Sequence, residues 1–246
     1  MDMRLTGVGV GPGDPELVTV KGVNALRAAG AVVVPVMDSG EPGRAEATVR
    51  HYVDASRVVR VVFALNERTD RARREAAWDA AGARVAELLR THRTVAFATI
   101  GDPNVYSTFT YLVGTVGGLL GAGEPLAVAT VPGITAMQDL AARSGAVLTE
   151  GTEPLTLVPV TAGAAVLKDA LRGPGTVVAY KFGRHAAEVA AALRATGRIE
   201  GAVWGSSLGL PEESIRAAAE LPDGPLPYLS TLIAPARRDG GRGGKL

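Results

Sequence analysis

Cysteine is absent from the 246-residue chain, which excludes disulfides, thiolate metal sites and a cysteine nucleophile. The same absence fits a reducing compartment, and a cytoplasmic location is expected. Histidine is scarce. His51, His92 and His185 stand far apart with no ligand-like spacing, which argues against a histidine metal centre, and no metal is expected. Charge imbalance is missing too: Lys and Arg number 26 against 25 Asp and Glu, a net +1. There is thus no global electrostatic case for binding nucleic acid or a membrane surface. No apolar run approaches the roughly 18 residues of a membrane span, and MDMRLTGVGV lacks the long apolar core of a secretory signal.

What is present is globular in kind. Hydrophobic residues make up 47% and charged residues 21%, in a chain long enough for one large domain or two small ones. Apolar runs rich in Val or Ala lie at 4–8, 31–36, 57–63, 94–99 and 125–131, as in buried parallel strands. Helical patterns lie between them at 15–29, 45–53, 70–90 and 105–120. The third is the clearest: Thr69 or Asp70 can cap it, Arg71 and Glu75 are spaced i,i+4, and Trp78, Val85, Leu88 and Leu89 form an apolar face. Beyond a glycine-rich break the alternation resumes. Strands are expected at 155–160, 175–180, 201–205 and 228–234, and helices near 135–144, 163–171, 186–195 and 212–219. The fold class is α/β, read as two domains, 1–122 and 132–236, with a hinge near 122–132. The charged, glycine-rich tail 237–246 is expected to be mobile.

Four segments carry candidate chemistry. GVGVGPGDPE, residues 7–16, follows the first strand. Its glycines can take positive φ and admit a ligand close to the backbone. Asp14 suits an N-cap, Pro15 the first helical position and Glu16 the positive helix end. Pro12 breaks the dinucleotide pattern, and no Gly-Lys-Ser/Thr follows to make a P-loop. A tight turn between strand and helix is the alternative reading. TIGDPNVYSTFTYL, residues 99–112, puts Ile100 and Gly101 at a strand's carboxyl end, where open α/β sheets bind ligands; alternatively Asp102-Pro103 merely caps a helix. In VPGITAMQDLAA, residues 131–142, Pro132-Gly133 forces a turn and Thr135 is a possible cap. TVVAYKFGRHAAE, residues 176–188, ends a strand on Lys181, Arg184 and His185, a cluster for an acidic ligand or a solvated loop.

Taken in order, GVGVGPGDPELVTVKG, ATIGDPNVYSTFTYL and VPGITAMQDLAARSGAVLT resemble the tetrapyrrole methylase family, the class III S-adenosylmethionine-dependent methyltransferases. The resemblance covers nearly the whole chain. RTDRARREAAWDAAGARVAELLR, YSTFTYL and LPYLSTLIAP are most similar to the subgroup acting at C-20 of precorrin-2, or of cobalt-factor II, in cobalamin biosynthesis. Asn104 departs from the bulky apolar residue expected there. The resemblance implies two α/β domains with S-adenosyl-L-methionine in the cleft between them. By position it implies cofactor contacts at Pro12, Ile100, Gly101, Asp102, Val105, Thr135, Ala136 and Tyr180, with the glycine loop also facing the tetrapyrrole. Tyr180 stands where the family often has Met.

The implied reaction is in-line displacement: an electron-rich meso carbon attacks the sulfonium methyl, and a neutral thioether leaves. A protein aligning the two reactants can contribute up to about 7–11 kcal/mol. After transfer C-20 must lose a proton, with Asp102, Tyr106, Glu150 or water as acceptor. The substrate's acetate and propionate groups call for Arg, Lys or backbone N–H. Gly11, Gly13, Asp14, Arg44, Arg50, Tyr106, Ser107, Lys181 and Arg184 are the candidate substrate contacts. A homodimer is expected, with 109–120 a possible interface segment. The alternatives are another tetrapyrrole position such as that in uroporphyrinogen III, a modified histidine on a translation factor, ribosomal RNA, or a non-catalytic cofactor-binding module. The near-neutral charge argues against RNA.

Overall fold

The computed structural model describes residues 2–37, 40, 42–63, 71–161 and 163–238. The chain divides into two compact units between Thr135 and Ala136.

The first unit is built on strands β1 (Met3–Gly9), β2 (Ala31–Val36), β3 (Val58–Val62), β4 (Thr94–Thr99) and β5 (Leu126–Val131). They form one parallel sheet in the order β3-β2-β4-β1-β5. Helices α1 (Val20–Ala28), α2 (Arg44–Val49), α3 (Arg71–His92) and α4 (Phe109–Leu119) cover it. The apolar runs are near-continuous because both sheet faces are buried. Leu5, Val33 and Phe97 face α3 and α4, whereas Val8, Val32 and Ala98 face α1 and α2, the two-residue alternation of a pleated strand. Trp78, Val85, Leu88 and Leu89 of α3 join the first of these layers, and Arg71 pairs with Glu75 at 2.7 Å. The Thr69 and Asp70 cap lies outside the described residues. β5, within the expected hinge, completes this sheet against β1.

Two helix boundaries differ from expectation. The pattern at 15–29 is a 3-10 turn, Pro15–Leu17, capped by Asp14, followed by α1, whose own cap is Thr19. Each cap side chain accepts a backbone N–H and restarts the chain direction. The helix expected from 105 begins only at Phe109, because Tyr106 takes φ +52° and breaks the helical path.

The second unit holds α5 (Ala136–Ser144), β6 (Leu155–Pro159), α6 (Ala164–Leu171), β7 (Thr176–Tyr180), α7 (Ala186–Ala195), β8 (Val203–Ser206), β9 (Ser214–Ala217) and β10 (Ser230–Ala234). Its sheet runs β6-β7-β10-β8-β9. Only the β6–β7 pair is parallel. α6 and α7 pack over Val177, Ala179 and Leu232, and α5 packs over Val178 and Ile233 on the other face. The helix expected near 212–219 is instead β9 followed by a 3-10 turn, Ala218–Glu220. Pairing with β8 gives this segment its backbone partners, and that tertiary pairing overrides the helix propensity of Ala217, Ala218 and Ala219.

Arg198, 4% exposed, donates to the carbonyls of Leu171, Gly173, Gly175, Ala234 and Pro235, joining the ends of α6 and β10. At the start of the expected mobile tail, Arg237 donates to Thr196 O, and Arg238 pairs with Glu153 at 2.6 Å; 239–246 lie outside the described residues. No helix among the described residues is long and apolar enough to cross a membrane.

Candidate active site

In the first unit the carboxyl ends of β1, β4 and β5 are neighbours, so the loops that follow them converge. Their contact is made by glycine backbones. A Cβ on Gly9 would lie 2.5 Å from Gly101 O and 2.6 Å from the Gly133 Cα; one on Gly133 would lie 2.1 Å from Gly101 O. No side chain fits there. Gly11 and Gly101, at φ +77° and +70°, form an isolated antiparallel bridge, with Gly101 N donating to Gly11 O at 2.8 Å.

Asp102 fastens the cluster. Its Oδ1 accepts from Asn104 N at 2.7 Å and its Oδ2 from Gly133 N at 3.0 Å. The carboxylate thereby ties the β4 loop to the β5 loop. It caps no helix, since α4 starts only at Phe109 with Thr108 at its N-cap. Asn104 adds a second tie, Nδ2 donating to Thr130 Oγ1 at 3.3 Å. Ser107 Oγ donates to Thr99 Oγ1 and accepts from Phe109 N, both at 3.2 Å, fixing the loop's return into α4.

Pro12, Gly11 and Gly13 are buried in the glycine loop, with Asp14 half-buried. Asp14 accepts from Glu16 N at 2.9 Å. Ile100 packs against the core beneath α1. Val105 N donates to Asp102 O, and Thr135 is buried, its Cα 3.9 Å from where a Gly101 Cβ would stand. The first unit thus brings Pro12, Ile100, Gly101, Asp102, Val105 and Thr135 onto one set of adjoining loops. Tyr106 is 41% exposed, and burial of the rest raises its phenol above the ordinary tyrosine value.

Ala136 and Tyr180 belong to the second unit. Tyr180 Oη accepts from Met137 N at 3.2 Å, so its ring lies against the start of α5 beside Ala136. Lys181, at φ +58°, has its ammonium 5.8 Å from the Tyr228 ring centre. Arg184 is exposed, and His185 pairs with Glu188 at 3.1 Å. Glu150, also of the second unit, pairs with Arg238 at 3.3 Å.

Arg44 is exposed at the start of α2. Arg50, its side chain 47% exposed, holds with Arg60 the fully buried Glu46, through bonds of 2.8 and 2.6 Å. The Arg60 bond, with help from Arg50, holds the Glu46 carboxyl below its ordinary value against the opposing effect of burial. Gly133, Thr48 and Tyr52 belong to the cluster's framework, although the sequence reading does not single them out as site residues. Gly133 carries a signal in its Pro-Gly turn; the other two carry none, because their partners lie 35 and 37 residues away. Among the described residues, no three His, Asp or Glu side chains group as metal ligands.

A parallel sheet with glycine-lined loops at its carboxyl edge, in a chain that carries a second α/β unit, presents the edge at which open α/β sheets bind ligands. The chain matches the family "Tetrapyrrole (Corrin/Porphyrin) Methylases" over residues 4–221, and it belongs to that family. It is 32% identical over 243 residues to a precorrin-2 C(20)-methyltransferase of Sinorhizobium sp, covering 96% of each chain. It is 30% identical over 236 residues to a cobalt-precorrin-2 C(20)-methyltransferase of Salmonella typhimurium LT2, covering 95% of this chain and 96% of that one. A crystal structure of a Thermus thermophilus uroporphyrin-III C-methyltransferase complexed with S-adenosyl homocysteine superposes with TM-score 0.64 at 22% identity, over 94% of this chain and 97% of that one.

Proposed function

We propose that this chain transfers a methyl group from S-adenosylmethionine to C-20 of precorrin-2 or its cobalt form, within cobalamin biosynthesis. The observation that carries the reading is likeness over the full length to C(20)-methyltransferases. The glycine cluster fastened by Asp102 supports it as a cofactor-holding device.

The residues fit that cofactor chemically. Gly9 and Gly133 leave room for backbone and none for side chains, and Gly101 holds a positive φ of +70°, so polar main-chain groups can approach a nucleoside. Ile100 and Val105 supply apolar surface beside them, and Pro12, Thr135, Ala136 and Tyr180 are the further contacts. S-adenosylmethionine, when bound, supplies an already activated methyl. The loops hold the two reactants close and aligned, worth up to about 7–11 kcal/mol of barrier.

Three groups are candidates for taking the C-20 proton. Asp102 has both oxygens occupied by backbone N–H donors, so its part is to hold the loops. Tyr106, with its phenol raised, is a hydrogen-bond donor at neutral pH. Glu150 is paired with Arg238. With these three engaged as described, water is the acceptor that this reading favours. Gly11, Gly13, Asp14 and Ser107 line the macrocycle, and Arg44, Lys181 and Arg184 meet its carboxylates. The chain acts as a homodimer; exposed Tyr111 and Leu119 on α4 and Val128 on β5 support an association surface.

The test is turnover of precorrin-2 with and without cobalt, read by mass spectrometry. Gain of one methyl by either ring supports the reading and names the physiological form. Binding of S-adenosylhomocysteine with no transfer to either ring would favour a non-catalytic module.

A further inference from the structure

The glycine loop is held from a side that the family motifs do not include. Thr48, in α2 and 1% exposed, donates its hydroxyl to Gly13 O at 3.2 Å. Tyr52, just past the helix, donates its phenol to Pro15 O at 2.6 Å. The two bonds bracket Asp14. The loop's near end is fixed separately, by Gly101 N on Gly11 O at 2.8 Å. The segment from Gly11 to Pro15 is thus suspended between the β4 loop and α2.

α2 is itself anchored. Glu46 is fully buried and accepts from Arg60 on β3 at 2.6 Å and from Arg50 at 2.8 Å. The Tyr52 ring packs on the core beneath α1, with the Arg27 guanidinium 6.0 Å from its centre. A continuous set of contacts runs from the sheet through α2 to the loop. A loop with glycine at 9, 11 and 13 has large conformational freedom to lose, and reacting groups must be held to within about 0.5 Å.

We infer that Thr48 and Tyr52 are positioning residues for methyl transfer: their hydroxyls fix the backbone of the glycine loop in the geometry that the tetrapyrrole and cofactor require. The inference rests on the function proposed above. Neither side chain touches a reactant; both act through the carbonyls of Gly13 and Pro15.

The test compares Thr48→Val, Tyr52→Phe and the conservative Thr48→Ser in the full chain. Each of the first two removes one hydroxyl with little change of shape. Loss of one such bond predicts a fall in kcat/KM for precorrin-2 of about fivefold to tenfold. Thr48→Ser should retain at least half of the wild-type value, and the affinity for S-adenosylhomocysteine should change less than the turnover. In the ligand-free protein, amide hydrogen exchange at Leu17 and Val18, whose N–H groups bond Asp14 O and Pro15 O, should quicken by about the same factor in Tyr52→Phe. Leu232, in the second unit, should be unaffected.

Wild-type turnover with both variants at wild-type kcat/KM would overturn the positioning role and leave the proposed function standing. Wild-type failure to methylate precorrin-2 would overturn the proposed function; unchanged exchange at Leu17 and Val18 would then overturn the positioning role on its own evidence. Should Thr48→Val not fold, Tyr52→Phe carries the test, since the half-buried Tyr52 tolerates loss of its hydroxyl more readily.

Discussion

Asp102 Oδ2 lies 3.0 Å from Gly133 N, a hydrogen bond across 31 residues that joins the loops following β4 and β5. With its other oxygen on Asn104 N, the side chain is an acceptor to two donors. Asparagine at this position has one acceptor and presents an NH₂ group to the second donor. Asp102→Asn is expected to cost about 1–3 kcal/mol of loop order. The affinity for S-adenosylhomocysteine should fall about tenfold or more. Isothermal titration against the wild type measures it.

Gly133 is required for space. An alanine Cβ there would stand 2.1 Å from Gly101 O and 2.7 Å from the Gly9 Cα, and backbone on both sides cannot yield as a flexible side chain would. Gly133→Ala is expected to destabilise the protein by about 1–3 kcal/mol through overpacking and to abolish cofactor binding. Gly224, whose added Cβ would meet nothing within 4 Å, is the control: Gly224→Ala should be close to neutral. Thermal unfolding with and without S-adenosylhomocysteine separates the two.

Glu46 makes stability depend on acid. Its carboxyl is held below the ordinary value chiefly by the Arg60 hydrogen bond. A depressed folded-state value means that the unfolded chain binds the proton more readily. The stabilisation is therefore complete above the ordinary glutamate range, about pH 4–5, and is lost as pH falls through the folded-state value. Glu46→Gln should be less stable than wild type at neutral pH, with the gap narrowing as the medium is made acid. Urea unfolding at a series of pH values gives the slope.

Arg198 is a buried cation whose partners are five carbonyl oxygens. Burial, with Arg237 nearby, lowers its affinity for its proton relative to free arginine. Arg198→Met keeps much of the volume and orphans the acceptors, a loss of about 2–4 kcal/mol. The midpoint of unfolding should fall while the affinity for S-adenosylhomocysteine, in the fraction that remains folded, holds.

Much of this was legible in the sequence because buried parallel strands announce themselves as runs such as AVVVPV and TVAFAT. Among the described residues every strand but β9 falls on an expected apolar run. SIRA leads into an alanine-rich stretch, and only its pairing with β8 makes it a strand. The glycine loop and the β4 loop were legible through Gly, Asp and Pro at strand ends. Their mutual fastening was not, because nothing local to Asp102 indicates that Gly133 is its partner. For the same reason the sequence does not show that Arg50, there a candidate substrate contact, and Arg60 both pair with Glu46. Tyr106 reads as helix; its φ of +52° belongs to the loop that the Asp102 and Ser107 bonds enforce.

The most direct measurement is the position of the new methyl group. Purified protein is incubated with precorrin-2 and S-adenosylmethionine carrying a ¹³C methyl, and the product is read by carbon NMR. A single labelled methyl on the C-20 bridge is the expected result. Label on any other ring carbon, or none on either the metal-free or the cobalt-loaded ring, would contradict the account.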